Sequence, residues 1–306
     1  MDTTTKGNLL VLITAVVSGF SIFINSIGVK EFDSSLFTFL KNSLVAVLLL
    51  LVLIGLGKLK LLRGLTRRQW LSLATIGLIG GSIPFLLFFK GLQITTGTTG
   101  GFIHKTLFLY AAAFAILFLR ERPTKGFFIG ALLLVFGNYL LIRPDFTFRP
   151  AHLMIAAAAV LWAAENTYAK HVSKEVPGTA IAFGRMFFGS LFILVFLSFT
   201  GKVSLVTTLT MTHMLWVGLT SLFLLLFVLT FYNGLACTKV TSATCILTLG
   251  TPITTILGWI YAGKQVSLSQ ATGMFLVVAG VLCVVGYGYV LSMISRRGAE
   301  AADGRP

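Results

Sequence analysis

Five threonines, Thr241, Thr244, Thr248, Thr251 and Thr255, follow one another at spacings of 3, 4, 3 and 4 in an apolar stretch. On an α-helix this puts five hydroxyls on one face. Pro252 stands beside them, removes a backbone donor and breaks the helix there, freeing a carbonyl. Hydroxyls and a loose carbonyl on one face can hydrogen-bond a small polar molecule. The same threonines can instead bond their own i−4 carbonyls and permit close helix packing. Five charged side chains also fall within apolar stretches: Lys41, Lys90, Lys105, Arg185 and one acid, Glu165. A charge at the centre of a bilayer costs about 2.5–3.5 kcal/mol on insertion scales, so such groups turn toward the protein interior or toward water. Thr14, Ser18, Ser21 and Asn25, spaced 4, 3 and 4, form a second polar face.

These residues need elements to position them, and the elements are apolar helices. Of the 306 residues 56% are hydrophobic and 11% charged, with a mean hydropathy of +0.94. Soluble domains carry about 25% charged residues. Too little polar surface remains to coat a water-soluble globule, so lipid is the expected solvent. Ten stretches are long and apolar enough to span: 8–29, 36–57, 70–92, 97–119, 126–142, 152–173, 179–200, 212–235, 240–262 and 270–292. The first reads as a retained span rather than a cleaved leader. The segment Arg296–Pro306 reads as a polar, unstructured tail.

The net charge of +15 is dispersed in short clusters between the apolar runs, without an aromatic-interleaved basic stripe, which argues against nucleic acid. Fifteen Lys and Arg fall in the connections on the side of both termini and five on the other side, which places both ends in the cytoplasm of a cell membrane. Cys237, Cys245 and Cys283 read as packing residues, and four scattered histidines make no metal site. No cofactor is expected. Gly97–Lys105 has a phosphate-loop flavour, but His104 stands where glycine is required and no strand precedes it.

The chain repeats itself. Shifted by 143, Phe88, Gly91, Leu92, Thr95 and Thr98 meet Phe231, Gly234, Leu235, Thr238 and Thr241, and Gly130 and Gly137 meet Gly273 and Gly280. Shifted by 144, Lys30-Glu31 meets Lys174-Glu175 and Lys41 meets Arg185. The one-residue difference is expected before the third span of each half. The halves are 1–145 and 146–292, with 293–306 as a cytoplasmic tail. Five spans per half is an odd number, so the second half is inserted upside down, and the expected fold is all-α with ten transmembrane helices as two inverted five-helix repeats around a central cavity. Inverted repeats recur in secondary transporters. Equivalence also transfers residues. Lys105 takes the place of Thr248, and Glu165 and Trp162 fall on the face matching Ser21 and Ser18.

On these residues the sequence resembles the ten-helix drug/metabolite transporter superfamily, EamA type. The resemblance is carried by Phe88-Phe89-Lys90-Gly91-Leu92 and Phe231-Tyr232-Asn233-Gly234-Leu235, by Leu249-Gly250-Thr251-Pro252, by Arg120-Glu121-Arg122, and by Gly130 and Gly273. Arg185 matches the basic residue of the seventh helix. Two positions depart from the pattern: Leu109 replaces a proline and Lys264 an acid. The resemblance implies transport by alternating access, usually export of amino acids, metabolites or drugs.

The expected site is Lys105, Glu165, Arg185, Lys41, Thr248, Thr244, Thr251, Ser21, Asn25 and Trp162. A carboxylate would meet Lys105 or Arg185, and Glu165 would bind an amine or carry a proton. Lys41 and Arg185 could also snorkel to the membrane surface, and Glu165 could be a fixed ion pair with Arg185. Partners are then a small molecule, the bilayer and protons as a coupling ion; the oligomeric state stays open, a monomer being one option. Rivals are efflux of lipophilic cations, a membrane-embedded enzyme and a non-transporting scaffold. The first is disfavoured by four embedded cations to one acid, the second by the lack of clustered catalytic groups, and the third by the lack of long soluble appendages.

Overall fold

The structure, a computed structural model, describes residues 2–28, 33–94, 97–144, 147, 149–263 and 267–302. Lys30, Glu31, Thr95 and Lys264, which figured in the repeat and the charge count, lie outside the described residues. The helices fall within a few residues of the apolar stretches: α1 Thr3–Gly28, α2 Ser34–Gly55, α3 Arg67–Ile94, α4 in two pieces Gly97–Lys105 and Leu107–Leu119, α5 Lys125–Ile142, α6 Pro150–Val172, α7 Gly178–Phe199, α8 Met211–Cys237, α9 in pieces Val240–Ile246 and Gly250–Ala262, and α10 Leu268–Ala302. Nine of them, among the described residues, are long and apolar enough to cross a membrane. The exception is α6, diluted by Glu165, Asn166, Lys170 and His171. The expected unstructured tail is corrected in part, because α10 continues to Ala302. The reason lies in the Arg, Ala and Glu of residues 296–302, all good helix formers.

Capping chemistry starts several of these helices. Thr66 and Gln69 form a capping box at α3, and Thr210 and His213 form another at α8. Thr124 accepts from the Phe127 N–H at α5. Asp33, in the connection before α2, accepts from the N–H groups of Ser35 and Leu36 and pairs with Lys202 at 2.6 Å.

Burial pushes the Asp33 carboxyl up, but Lys202 and the two amides outweigh it and hold the group below its ordinary 3.8. A depressed acid contributes stability above its unfolded pKa and loses it as pH falls through the folded value. The Asp33→Asn protein should therefore unfold at a lower temperature than wild type at pH 6, and the gap should close toward pH 3. A gap independent of pH would contradict the assignment.

Helix pairing follows the duplication. α1 packs on α8 and α6 on α3; α6 packs on α4 and α1 on α9; α2 packs on α7 and α5 on α10. α5 and α10 cross antiparallel. A Cβ on Gly130 would stand 2.5 Å from the Gly280 carbonyl oxygen, and one on Gly137 would stand 2.9 Å from that of Gly273. Leu36, early in α2, packs with Ile193 and Leu197, late in α7, so this pair is antiparallel too.

The position of the one-residue offset needs correction. The capping boxes at Thr66 and Thr210 are 144 apart, whereas Phe88 and Phe231 are 143 apart. The extra residue is therefore inside the third span, where α3 has 28 residues and α8 has 27. It is absorbed in a π turn over Gly77–Ser82. A single inserted residue in a helix is accommodated as such a bulge.

Candidate functional site

The π turn of α3 lies at the centre of the polar interior. In an α-helix the Gly80 carbonyl would accept from the N–H of residue 84, but that residue is Pro84 and has none. Gly80 O instead accepts from two side chains, Trp162 Nε1 on α6 and Arg185 Nη2 on α7, each at 3.0 Å. The next carbonyl, Gly81 O, accepts from Asn42 Nδ2 on α2 at 2.8 Å. Glycine is required here. A Cβ on Gly80 would lie 2.4 Å from Glu165 Cγ, and one on Gly81 2.4 Å from the Arg185 carbonyl oxygen.

Glu165 is buried beside this turn, 1% exposed, and accepts a 2.7 Å hydrogen bond from the Tyr232 hydroxyl of α8. Arg185 is also buried; its guanidinium lies 5.4 Å from the Phe85 ring centre and 5.9 Å from that of Tyr232. Glu165 and Arg185 flank Gly80 but make no ion pair within 4 Å. The direct ion pair allowed by the sequence is thus not formed, because each group is engaged elsewhere: the acid by a hydroxyl, the guanidinium by a carbonyl.

Trp162 joins this centre to an aromatic cluster. Its ring centre is 5.2 Å from Phe85, 5.4 Å from Phe88 and 5.3 Å from His104. Phe89 continues the cluster to Phe37, and Lys41 Nζ lies over both, 4.9 Å from Phe37 and 5.4 Å from Phe89. Lys41 donates to Asn25 Oδ1 at 2.9 Å, and Asn25 is oriented by donating to the Ser21 carbonyl and hydroxyl. Neither Lys41 nor Arg185 snorkels: they are 3% and 5% exposed. Lys105 closes the first piece of α4, next to His104. It is partly exposed and has no hydrogen-bond or ion-pair partner among the described residues.

The threonine face divides. The hydroxyls of Thr244, Thr248 and Thr255 donate to the carbonyls of Val240, Cys245 and Thr251. Thr241 donates to Glu121, which also accepts from the N–H groups of Val240 and Thr241 and so caps α9. Thr251 Oγ1 is buried without a hydrogen-bond partner among the described residues. The interruption of α9 is a 3-10 turn at Leu247–Leu249, just ahead of Pro252. α4 is interrupted at the equivalent place, Thr106, although no proline stands there. Thr106 and Thr248 each bond the carbonyl three residues earlier, a local competitor to helical bonding that both breaks share.

Packing is uneven along these helices. Ser21–Asn25 of α1 and 101–107 of α4 are partly exposed, whereas all of Val240–Ile246 except Ser242 is buried. The interior is therefore more open toward the end where α1 finishes and α4 begins. Gly80, Pro84, Asn42 and Tyr232 were missed as site residues in the sequence. A proline four residues after a glycine in an apolar helix was the available signal for the first two. Asn42 and Tyr232 carry none beyond being polar groups in a span.

A bundle of apolar helices with buried charges and a hydrogen-bonded polar interior defines a multi-pass membrane protein. The chain matches the EamA-like transporter family twice, over residues 5–143 and 149–286, and it belongs to that family. It is thus a membrane transporter of the drug/metabolite transporter type, in a family of transporters rather than enzymes, with a small molecule as substrate and lipid as its surroundings. No curated protein matches it. A solved structure, described only as the crystal structure of a protein, superposes with a TM-score of 0.76 at 16% identity, covering 94% of this chain and 99% of its own. That likeness shows the fold alone.

Proposed function

We propose that this protein is a secondary transporter that moves small polar metabolites, amino acids or organic anions, outward across the plasma membrane by alternating access. The observation that carries the anionic preference is the charge balance of the interior. Among the described residues the buried Lys41 hydrogen-bonds only the neutral Asn25, and the partly exposed Lys105 has no hydrogen-bond or ion-pair partner. A buried cation without a counter-charge is costly, and a carboxylate on the substrate would supply one. Glu165 is the corresponding group for an amine, or the proton carrier. Efflux of lipophilic cations is less well supported, because Arg185 already occupies the Phe85 and Tyr232 faces beside Glu165.

The halves are read as five helices each in opposite orientation, giving ten spans with both termini cytoplasmic. Antiparallel crossing of the equivalent helices α5 and α10, and of α2 and α7, supports this reading. On it, the partly exposed end of α1 and α4 faces outward. The cavity is walled by α1, α4, α6 and α9.

The test is uptake into proteoliposomes by the Lys105→Met protein, across a panel of labelled amino acids and organic acids. A charge-assisted hydrogen bond contributes about 1.5–3 kcal/mol, so KM for anionic substrates should rise roughly 10- to 100-fold. Unchanged kinetics for every accepted substrate would remove Lys105 from the site.

A further inference from the structure

The two halves differ by one residue in their third helix, and the surplus coincides with the point where side chains of three other helices donate to backbone carbonyls. Both ends of α3 keep their counterparts in α8: the capping box 144 residues on, and the Phe88–Leu92 segment 143 residues on. Between them, α8 is α-helical throughout and carries Phe223, Leu224 and Leu225 where α3 has Gly80 and Gly81. α3 opens into the π turn, and Pro84 withholds the N–H that would have taken the Gly80 carbonyl.

We propose that this inserted residue, with Gly80 and Pro84, is a positioning device for the transport site. It turns the carbonyls of Gly80 and Gly81 outward as fixed acceptors for side chains from three other helices. Trp162 of α6 and Arg185 of α7 share Gly80 O, and Asn42 of α2 takes Gly81 O. Asn42 adjoins Lys41, and Trp162 carries the aromatic cluster formed with Phe85, Phe88 and His104. Trp162 and Arg185, both in the expected site, are thereby set from one point on α3, and the inference rests on the transport reading of that site. The equivalent stretch of α8 is regular α-helix and offers no such point. The site is therefore asymmetric by construction, although the scaffold is duplicated.

The experiment uses the full chain in proteoliposomes, with Trp70, Trp216 and Trp259 replaced by Phe so that Trp162 of the four tryptophans remains. Deleting Ile79 removes the surplus residue and lets α3 close into a regular helix without rotating its ends. The folded deletion protein should show a shifted Trp162 emission maximum and at least a tenfold rise in KM, with a smaller change in the maximal rate. Pro84→Ala keeps the length and returns the competing donor, and should move both readouts in the same direction by about threefold in KM. Deleting Leu225 from α8 has no π turn to absorb it and should prevent accumulation of folded protein. A folded Ile79 deletion with wild-type emission and KM overturns the proposal. If that deletion does not fold, unchanged emission and KM in Pro84→Ala overturn it. Should the parent transport none of the panel, the transport reading fails alone, and Trp162 emission still decides the positioning claim.

Discussion

Arg185→Met protein is expected to lose about 3–5 kcal/mol of stability and essentially all transport. The substitution keeps most of the side-chain volume but removes the hydrogen bond to Gly80 O and the guanidinium over Phe85 and Tyr232. A charge-assisted hydrogen bond contributes about 1.5–3 kcal/mol. Each desolvated cation–π contact adds about 0.5–2 kcal/mol. The buried Glu165 also loses its nearby cation. Arg185→Lys should recover little, because a single ammonium does not reproduce a planar fork that reaches a carbonyl while lying over two rings. Denaturant unfolding in detergent, beside proteoliposome uptake, checks both effects. A stable, active Arg185→Met protein would show that the guanidinium neither organises the interior nor assists transport.

Glu165→Gln protein is expected to transport with a rate that no longer varies with pH between 5 and 8. The amide oxygen can still accept the Tyr232 hydroxyl, so the 2.7 Å contact survives while the exchangeable proton is gone. Downhill exchange of labelled substrate should persist, and uphill accumulation driven by a proton gradient should fall at least tenfold. Wild-type pH dependence in the Glu165→Gln protein would reject Glu165 as the proton carrier. Loss of both exchange and accumulation would assign the carboxylate to substrate binding instead.

The helices were legible because lipid imposes a length and an apolar composition on every span. The duplication was legible from Phe88/Phe231, Gly91/Gly234 and the two glycine pairs. Charged candidates stood out by type: Lys41, Lys105, Glu165 and Arg185 are conspicuous in apolar surroundings. Their partners did not. Which hydroxyl meets Glu165, and which carbonyl meets Arg185, depends on how four helices dock, and local spacing contains no such information. The π turn was hidden for a related reason. A one-residue surplus is visible in the sequence, but whether a connection or a helix absorbs it depends on Pro84, whose missing N–H acts only once the helix exists. The threonine face shows the opposite failure: its periodicity is real, yet Thr244, Thr248 and Thr255 direct their protons to their own backbone.

The glycine seam between α5 and α10 has a mechanical consequence. Where Gly130 meets Gly280 and Gly137 meets Gly273, backbone touches backbone, and the side chains of Leu134, Leu141, Val277 and Val284 pack directly onto the glycines. Meshed side chains act as gear teeth and fix the angle between two cylinders. Here the glycines are the sockets and these four aliphatic side chains the teeth, so the seam resists turning as well as separation. It has the properties of a rivet, set at a helix pair to which each half contributes one member, and it holds those two members at a fixed angle.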